Sequence, residues 1–321
     1  MAGSGLAVGV RVEWERSSHV QSQGVIRLYF DYVIPFWLSI GSLSLCQGVV
    51  VWLPRAWSPG PVARVRSGLW ALVPALSVIV FVAAGSVAEH GSAQALTYLA
   101  LVAVPPLAAL ALGRIVWGTH PPADPSARPV ARRAFALLVI PLFVLAWADR
   151  GGLAGQGAAL VLSALSCVTL GALIASVTPA RWLALGIVAM AAADAALVIA
   201  DLLQQPNSVL TATHPAGGLP RLQAEVFGSA AMGYGDLFVA GVFGGLLAVT
   251  GSRAWHLTGA LLVASLAVAF DLLFFVVSEL PATAPVACAL VLLVWVAPHN
   301  VSSRAARRSK PAPSARAPAS R

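Results

Sequence analysis

Nine apolar stretches of about twenty residues dominate this chain, at 30–53, 68–88, 93–117, 132–148, 154–177, 181–203, 225–250, 254–278 and 283–298. A helix needs about 20 mostly apolar residues to cross the hydrocarbon core of a bilayer. In lipid each backbone polar group must be satisfied within its own segment, so stretches of this kind become helices. Across 321 residues, 59% are hydrophobic, only 10% are charged, and the mean hydropathy is +0.83. No soluble domain of this length hides that much apolar surface. The expected fold is therefore an all-α polytopic membrane protein with about nine transmembrane helices. Pro105, Pro106 and Pro141 fall inside spans, where neighbouring helices can re-satisfy the backbone groups that proline frees.

The spans divide the chain. Residues 1–29 form an N-terminal segment without a contiguous apolar core, so insertion is expected to use the first span and not a cleaved signal peptide. Five helices fill 30–177 and four fill 181–298, with no sequence repeat of the sort that builds duplicated transporters. The stretch 299–321, rich in Ser, Ala, Pro and Arg, reads as a disordered basic tail. Asn300-Val301-Ser302 matches a glycosylation acceptor, but the tail is expected on the cytosolic side. The formal charge of +8 does not indicate a nucleic-acid partner, because the basic residues lie in short loops and the tail. Fifteen of the twenty Lys and Arg fall on one side of the nine-span arrangement and five on the other. The positive-inside rule then places the N-terminus outside and the C-terminus in the cytoplasm, with the plasma membrane as the expected location. Cys46, Cys167 and Cys288 lie within apolar spans without metal-ligand spacing and read as small packing residues. No metal or cofactor is expected.

Acidic side chains inside such spans are expensive and mark function by default. Asp194 lies in the sixth stretch and Asp236 in the seventh, within Gly233-Tyr234-Gly235-Asp236. At the helical rise per residue, Asp194 is expected about 14 Å and Asp236 about 16 Å below the outer end. Matching depth on consecutive helices suits hydrolysis by paired carboxylates. One accepts a proton from a shared water while the other donates to the scissile carbonyl, and two like charges in one dry site hold a single proton between them. Gly233 and Gly235 leave room for another backbone beside Asp236. Leu280-Pro281-Ala282 precedes the last helix, where prolines free nearby carbonyls for an extended substrate strand. Asp201, about 3 Å from the end of its helix, and Asp271 are further acids in this half.

These residues resemble the presenilin and signal peptide peptidase family of intramembrane aspartyl proteases. That family has nine spans, a first catalytic Asp on the sixth, Gly-x-Gly-Asp on the seventh and Pro-Ala-Leu at the ninth. Asp194-Ala195-Ala196-Leu197-Val198 is similar to the family's first Asp and the residues after it. Gly233 to Phe238, with the continuation Val239-Ala240-Gly241-Val242-Phe243, is similar to the second motif. Leu280-Pro281-Ala282 matches the start of the third, and Thr283 stands where the family has Leu. Ala193 stands where the family has Tyr, which leaves Asp201 as the alternative first aspartate. The resemblance covers about 181–298 and implies Asp194 and Asp236 as catalytic residues. It also implies Gly233, Tyr234, Gly235, Leu280, Pro281 and Ala282 as substrate contacts, and transmembrane helices of other proteins as substrates within the lipid bilayer. The N-out, C-in orientation is like that of signal peptide peptidases and suits type II substrates. Two other classes compete: a proton- or ion-coupled transporter relaying through Asp194, Asp236 and Asp271, and an inactive scaffold of the same fold. Prepilin peptidases share Gly-x-Gly-Asp, but the matching Cys cluster and flanking Lys are missing from this sequence.

Overall fold

A computed structural model describes residues 34–54, 67–72, 76, 89–119, 134–202, 209–210, 212–277 and 280–294. The terminal segments 1–29 and 299–321, and nearly all of the second expected span after Leu72, lie outside the described residues. Among those described are one short hairpin and eight α-helices of ten residues or more, beginning with α1 (Ile34–Trp52), α2 (Glu89–Thr119), α3 (Val139–Ala148), α4 (Leu153–Val177) and α5 (Ala180–Ile199). Then come β1 (Ala224–Phe227), β2 (Ala230–Gly233), α6 (Tyr234–Thr250), α7 (Arg253–Asp271) and α8 (Ala284–Val294). Among the described residues, five helices are long and apolar enough to cross a membrane: Ile34–Trp52, Gly91–Arg114, Leu153–Val177, Ala180–Ile199 and Arg253–Phe275. Their outward faces carry large bare apolar side chains, Val102 at 72% and Ile199 at 86% exposure among them. Water would not tolerate that surface. This is a helical, membrane-embedded protein.

The centre is α4, which is 78% buried over its most apolar window while α2 and α5 are only 22% buried. It packs along α6 more extensively than any other helix pair, with α2 and α3 on its remaining sides. Helices α1, α5 and α7 also pack on α6, and α1 reaches α4 as well. The α4–α6 crossing is close because it is made by glycines. A Cβ on Gly171 would collide with the Gly241 carbonyl, and one on Gly241 with the Cys167 carbonyl, so only glycine permits this backbone approach. Helix α8 buries Val286, Ala289, Leu290 and Leu293, an i, i+3, i+4, i+7 stripe on one face.

Three expectations are corrected. The seventh stretch does not begin as a helix at Glu225. Residues 224–233 form an antiparallel hairpin, pairing Ala224 with Gly233 and Phe227 with Ala230 around Gly228-Ser229. Gly228 has φ 59°, the left-handed conformation that a two-residue hairpin turn asks of it. The turn is pinned from two helices: Gln156 accepts from the Gly228 N–H at 2.7 Å, and the Ser39 hydroxyl accepts from that of Ser229 at 3.3 Å. The sixth stretch also ends early, at Ile199 and not at 203. Asp201 adopts φ 56°, with Leu202 N–H bonded to Leu197 O and Asp201 N–H to Val198 O. This pair of bonds is a Schellman ending, a left-handed residue closing the helix. Finally, the fourth stretch breaks at 137–138 before α3. Pro141 has no N–H to offer the Leu137 carbonyl, which accepts from Ile140 at 3.0 Å in a tighter turn.

Candidate functional site

Asp194 and Asp236 come together from α5 and α6. Helix α5 packs against α6, and the two carboxyls lie within electrostatic reach of each other. Met190, one helical turn before Asp194, rests over Gly235, so the face of α5 bearing Asp194 is the face turned to the start of α6. The pairing does not arise from the helical-rise reckoning, which assumed an unbroken helix from Glu225. Because the hairpin takes the place of those first helical turns, Asp236 lies in the first turn of α6, at N3. There the Gly233 N–H donates to Asp236 Oδ2 at 3.1 Å. A carboxylate in a helical first turn faces unpaired backbone donors and the positive end of the helix dipole. Asp194 and Asp236 are both half-buried as residues.

The third expected element approaches the same place. Pro281-Ala282-Thr283 forms the turn before α8, and the Thr283 hydroxyl donates to Asp194 Oδ2 at 2.5 Å. The carbonyls of this turn are not free as expected. Pro281 O accepts from Ala284 N–H at 3.0 Å, and Ala282 O accepts from Gln47 Nε2 at 3.0 Å. The turn is fixed, and it presents a side chain in place of bare backbone. Leu280, Pro281 and Ala282 themselves are half-buried.

The other expected residues take varied places. Gly233 is the N-cap of α6, and its own N–H is the donor to Asp236. Gly235 is not needed for a close backbone approach, since a Cβ there would meet only Met190 Cε at 3.8 Å. Tyr234 turns inward, its hydroxyl 2.7 Å from Ser166 on α4. Asp201 is exposed and ends α5, so it is not the partner that Asp236 senses. Asp271 is buried and accepts from the Ser44 hydroxyl at 2.7 Å, tying α7 to α1. Of the cysteines, Cys167 is buried, Cys46 half-buried and Cys288 exposed, so the packing reading fails for Cys288.

Sequence reasoning passed over α1, which sends Ser39 to the hairpin turn, Ser44 to Asp271 and Gln47 to the turn before α8. The signal was present: polar residues at positions 39, 44 and 47 of an apolar span, all buried. Thr283 was passed over as a departure from the family pattern. No known family model matches the chain, and neither a curated protein nor a solved structure matches it.

Proposed function

We infer that this protein is an intramembrane aspartyl endopeptidase of the presenilin and signal peptide peptidase type, with Asp194 and Asp236 as its catalytic pair. The observation that carries this reading is the meeting of two carboxyls from different helices, each given a hydrogen-bond donor, at the end of the β1–β2 hairpin. In the reaction one carboxylate takes a proton from a water held between the pair as its oxygen attacks the scissile carbonyl. The protonated partner gives its proton to the carbonyl oxygen, forming a neutral gem-diol. As the C–N bond breaks, the proton taken from water passes to the leaving nitrogen and a diol hydroxyl proton returns to the pair. The pair ends with the single proton it began with.

The substrate is a transmembrane helix that unwinds locally. Strand β2 runs straight into α6, and among the described residues the sheet has only two strands, so each has one edge without a strand partner. An extended substrate segment added to such an edge gains main-chain hydrogen bonds, which offset those lost on unwinding. The edge leads toward Asp236. With the N-terminus outside and the C-terminus cytoplasmic, the substrates are of type II orientation.

The test is cleavage of a helical membrane substrate by purified protein in detergent or liposomes. Asp194→Ala and Asp236→Ala are each expected to lower the rate to background, while Asp201→Ala cleaves normally. Full activity in either of the first two variants would overturn the pair. Uptake of a solute driven by a pH gradient, dependent on both aspartates and without any cleavage, would establish a transporter instead.

A further inference from the structure

We propose that Thr283 is the positioning residue for Asp194, and that Gln47 of α1 fixes the turn from which it acts. The proposal rests on the protease reading and adds a residue that Gly-x-Gly-Asp and the Asp194 motif do not contain.

Thr283 is 1% exposed, and its hydroxyl meets Asp194 Oδ2 at 2.5 Å across 89 residues of sequence. A hydroxyl donating to a carboxylate makes a short, charge-assisted bond about twice as strong as a neutral one. It fixes the rotation of a half-buried side chain on α5. The bond also occupies one lone-pair direction of Oδ2, which leaves Oδ1 and the remaining directions for water. Leucine, which the resemblance would put at 283, cannot do this.

A positioning group is useful only if it is itself held. Thr283 O accepts from Val286 N–H and Ala287 N–H, each at 3.2 Å, which anchors the residue at the start of α8. Pro281 O is taken by Ala284 N–H. Ala282 O is taken by Gln47 Nε2, and Gln47 is itself 1% exposed. The same Nε2 lies 3.6 Å from Met232 Sδ on β2, the strand that leads to Gly233 and Asp236. Gln47 therefore touches both arms of the site, the turn that orients Asp194 and the strand that delivers Asp236. Its placement makes α1 part of the active-site frame, although α1 contributes no reacting group.

The experiment compares Thr283→Val, Thr283→Ser and Thr283→Cys in the full chain, measuring kcat and KM for the same substrate and the thermal midpoint of each protein. Valine keeps the shape and removes the donor. A reacting group displaced by about 1 Å can lose about 10²-fold in rate. The expected result is a fall of about that size in kcat for Thr283→Val, with KM within about twofold. Serine restores kcat to within a few-fold of wild type, and cysteine, a weak donor, falls between the two. Val at wild-type kcat, or Ser as impaired as Val at equal thermal midpoints, would overturn the proposal. Should the Val protein not fold, the Ser and Cys variants decide it, because equal rates for those two would remove the donor role. Cleavage by wild type that is lost in Asp236→Ala shows separately whether the protease reading stands, so failure of that reading is distinguishable from failure of the role given to Thr283.

Discussion

Glu225 shows what a single residue can cost in this protein. Its side chain is 1% exposed, faces α4 from β1, and neither carboxyl oxygen has a hydrogen-bond partner among the described residues. Ser163 is close to it but outside bonding geometry, and its own hydroxyl is also unpartnered. A buried polar group left without a partner costs about 1–3 kcal/mol, and a charge more. Replacing Glu225 with Met, similar in size and apolar, is therefore expected to raise stability by roughly 1–3 kcal/mol. Thermal unfolding in detergent checks this, and a lower midpoint for Glu225→Met would show that the carboxyl has a partner after all. Asp271 is the opposite case. Its bond to Ser44 accounts for its burial without any catalytic role.

At the scale of elements, the α4–α6 crossing controls where Asp236 sits. Gly241 lies five residues after Asp236, and a Cβ there would strike the Cys167 carbonyl, a backbone atom that cannot swing aside. Overpacking of this kind costs about 1–3 kcal/mol and sometimes more. Gly241→Ala is expected to lose stability in that range and to displace the first turn of α6, lowering cleavage beyond what unfolding explains. Gly91→Ala on α2 is the control, because a Cβ there meets nothing within 4 Å. Alanine in place of a helical glycine gains up to about 1 kcal/mol. Equal effects of the two substitutions on the thermal midpoint would remove the packing argument. The hairpin is also an element-scale result. It replaces the first turns of an expected helix and moves Asp236 from mid-span to a helix start, where backbone donors are available to it.

At the scale of the whole molecule, the basic residues carry a prediction about direction in the membrane. Fifteen basic residues against five, counted on a nine-span arrangement, set the expectation of a cytoplasmic C-terminus. A reporter active only in the cytoplasm, fused after Arg321, is expected to be active, and a periplasm-dependent phosphatase at the same place silent. The reverse pattern would invert the orientation and, on the protease reading, the class of substrate helix.

Much of this was legible in the chain. The long apolar stretches dictated a helical membrane protein, because lipid leaves the backbone no other way to satisfy its hydrogen bonds. Asp194 and Asp236 stood out because a carboxyl inside an apolar run is too costly to be incidental. The hairpin was hidden, since Val226 and Phe227 before Gly228-Ser229 fit the end of a strand as well as a helix, and a short apolar run does not separate the two. Asp201 as a helix ending, Tyr234 turned to Ser166, and the Ser39, Ser44 and Gln47 face of α1 all depend on how the chain packs. Thr283 is the clearest instance. As a letter it is a mismatch to a motif, and only the folded chain brings it to Asp194. Composition and periodicity act along the chain and are summed locally, whereas a hydrogen bond across 89 residues exists only once packing has chosen which helices touch.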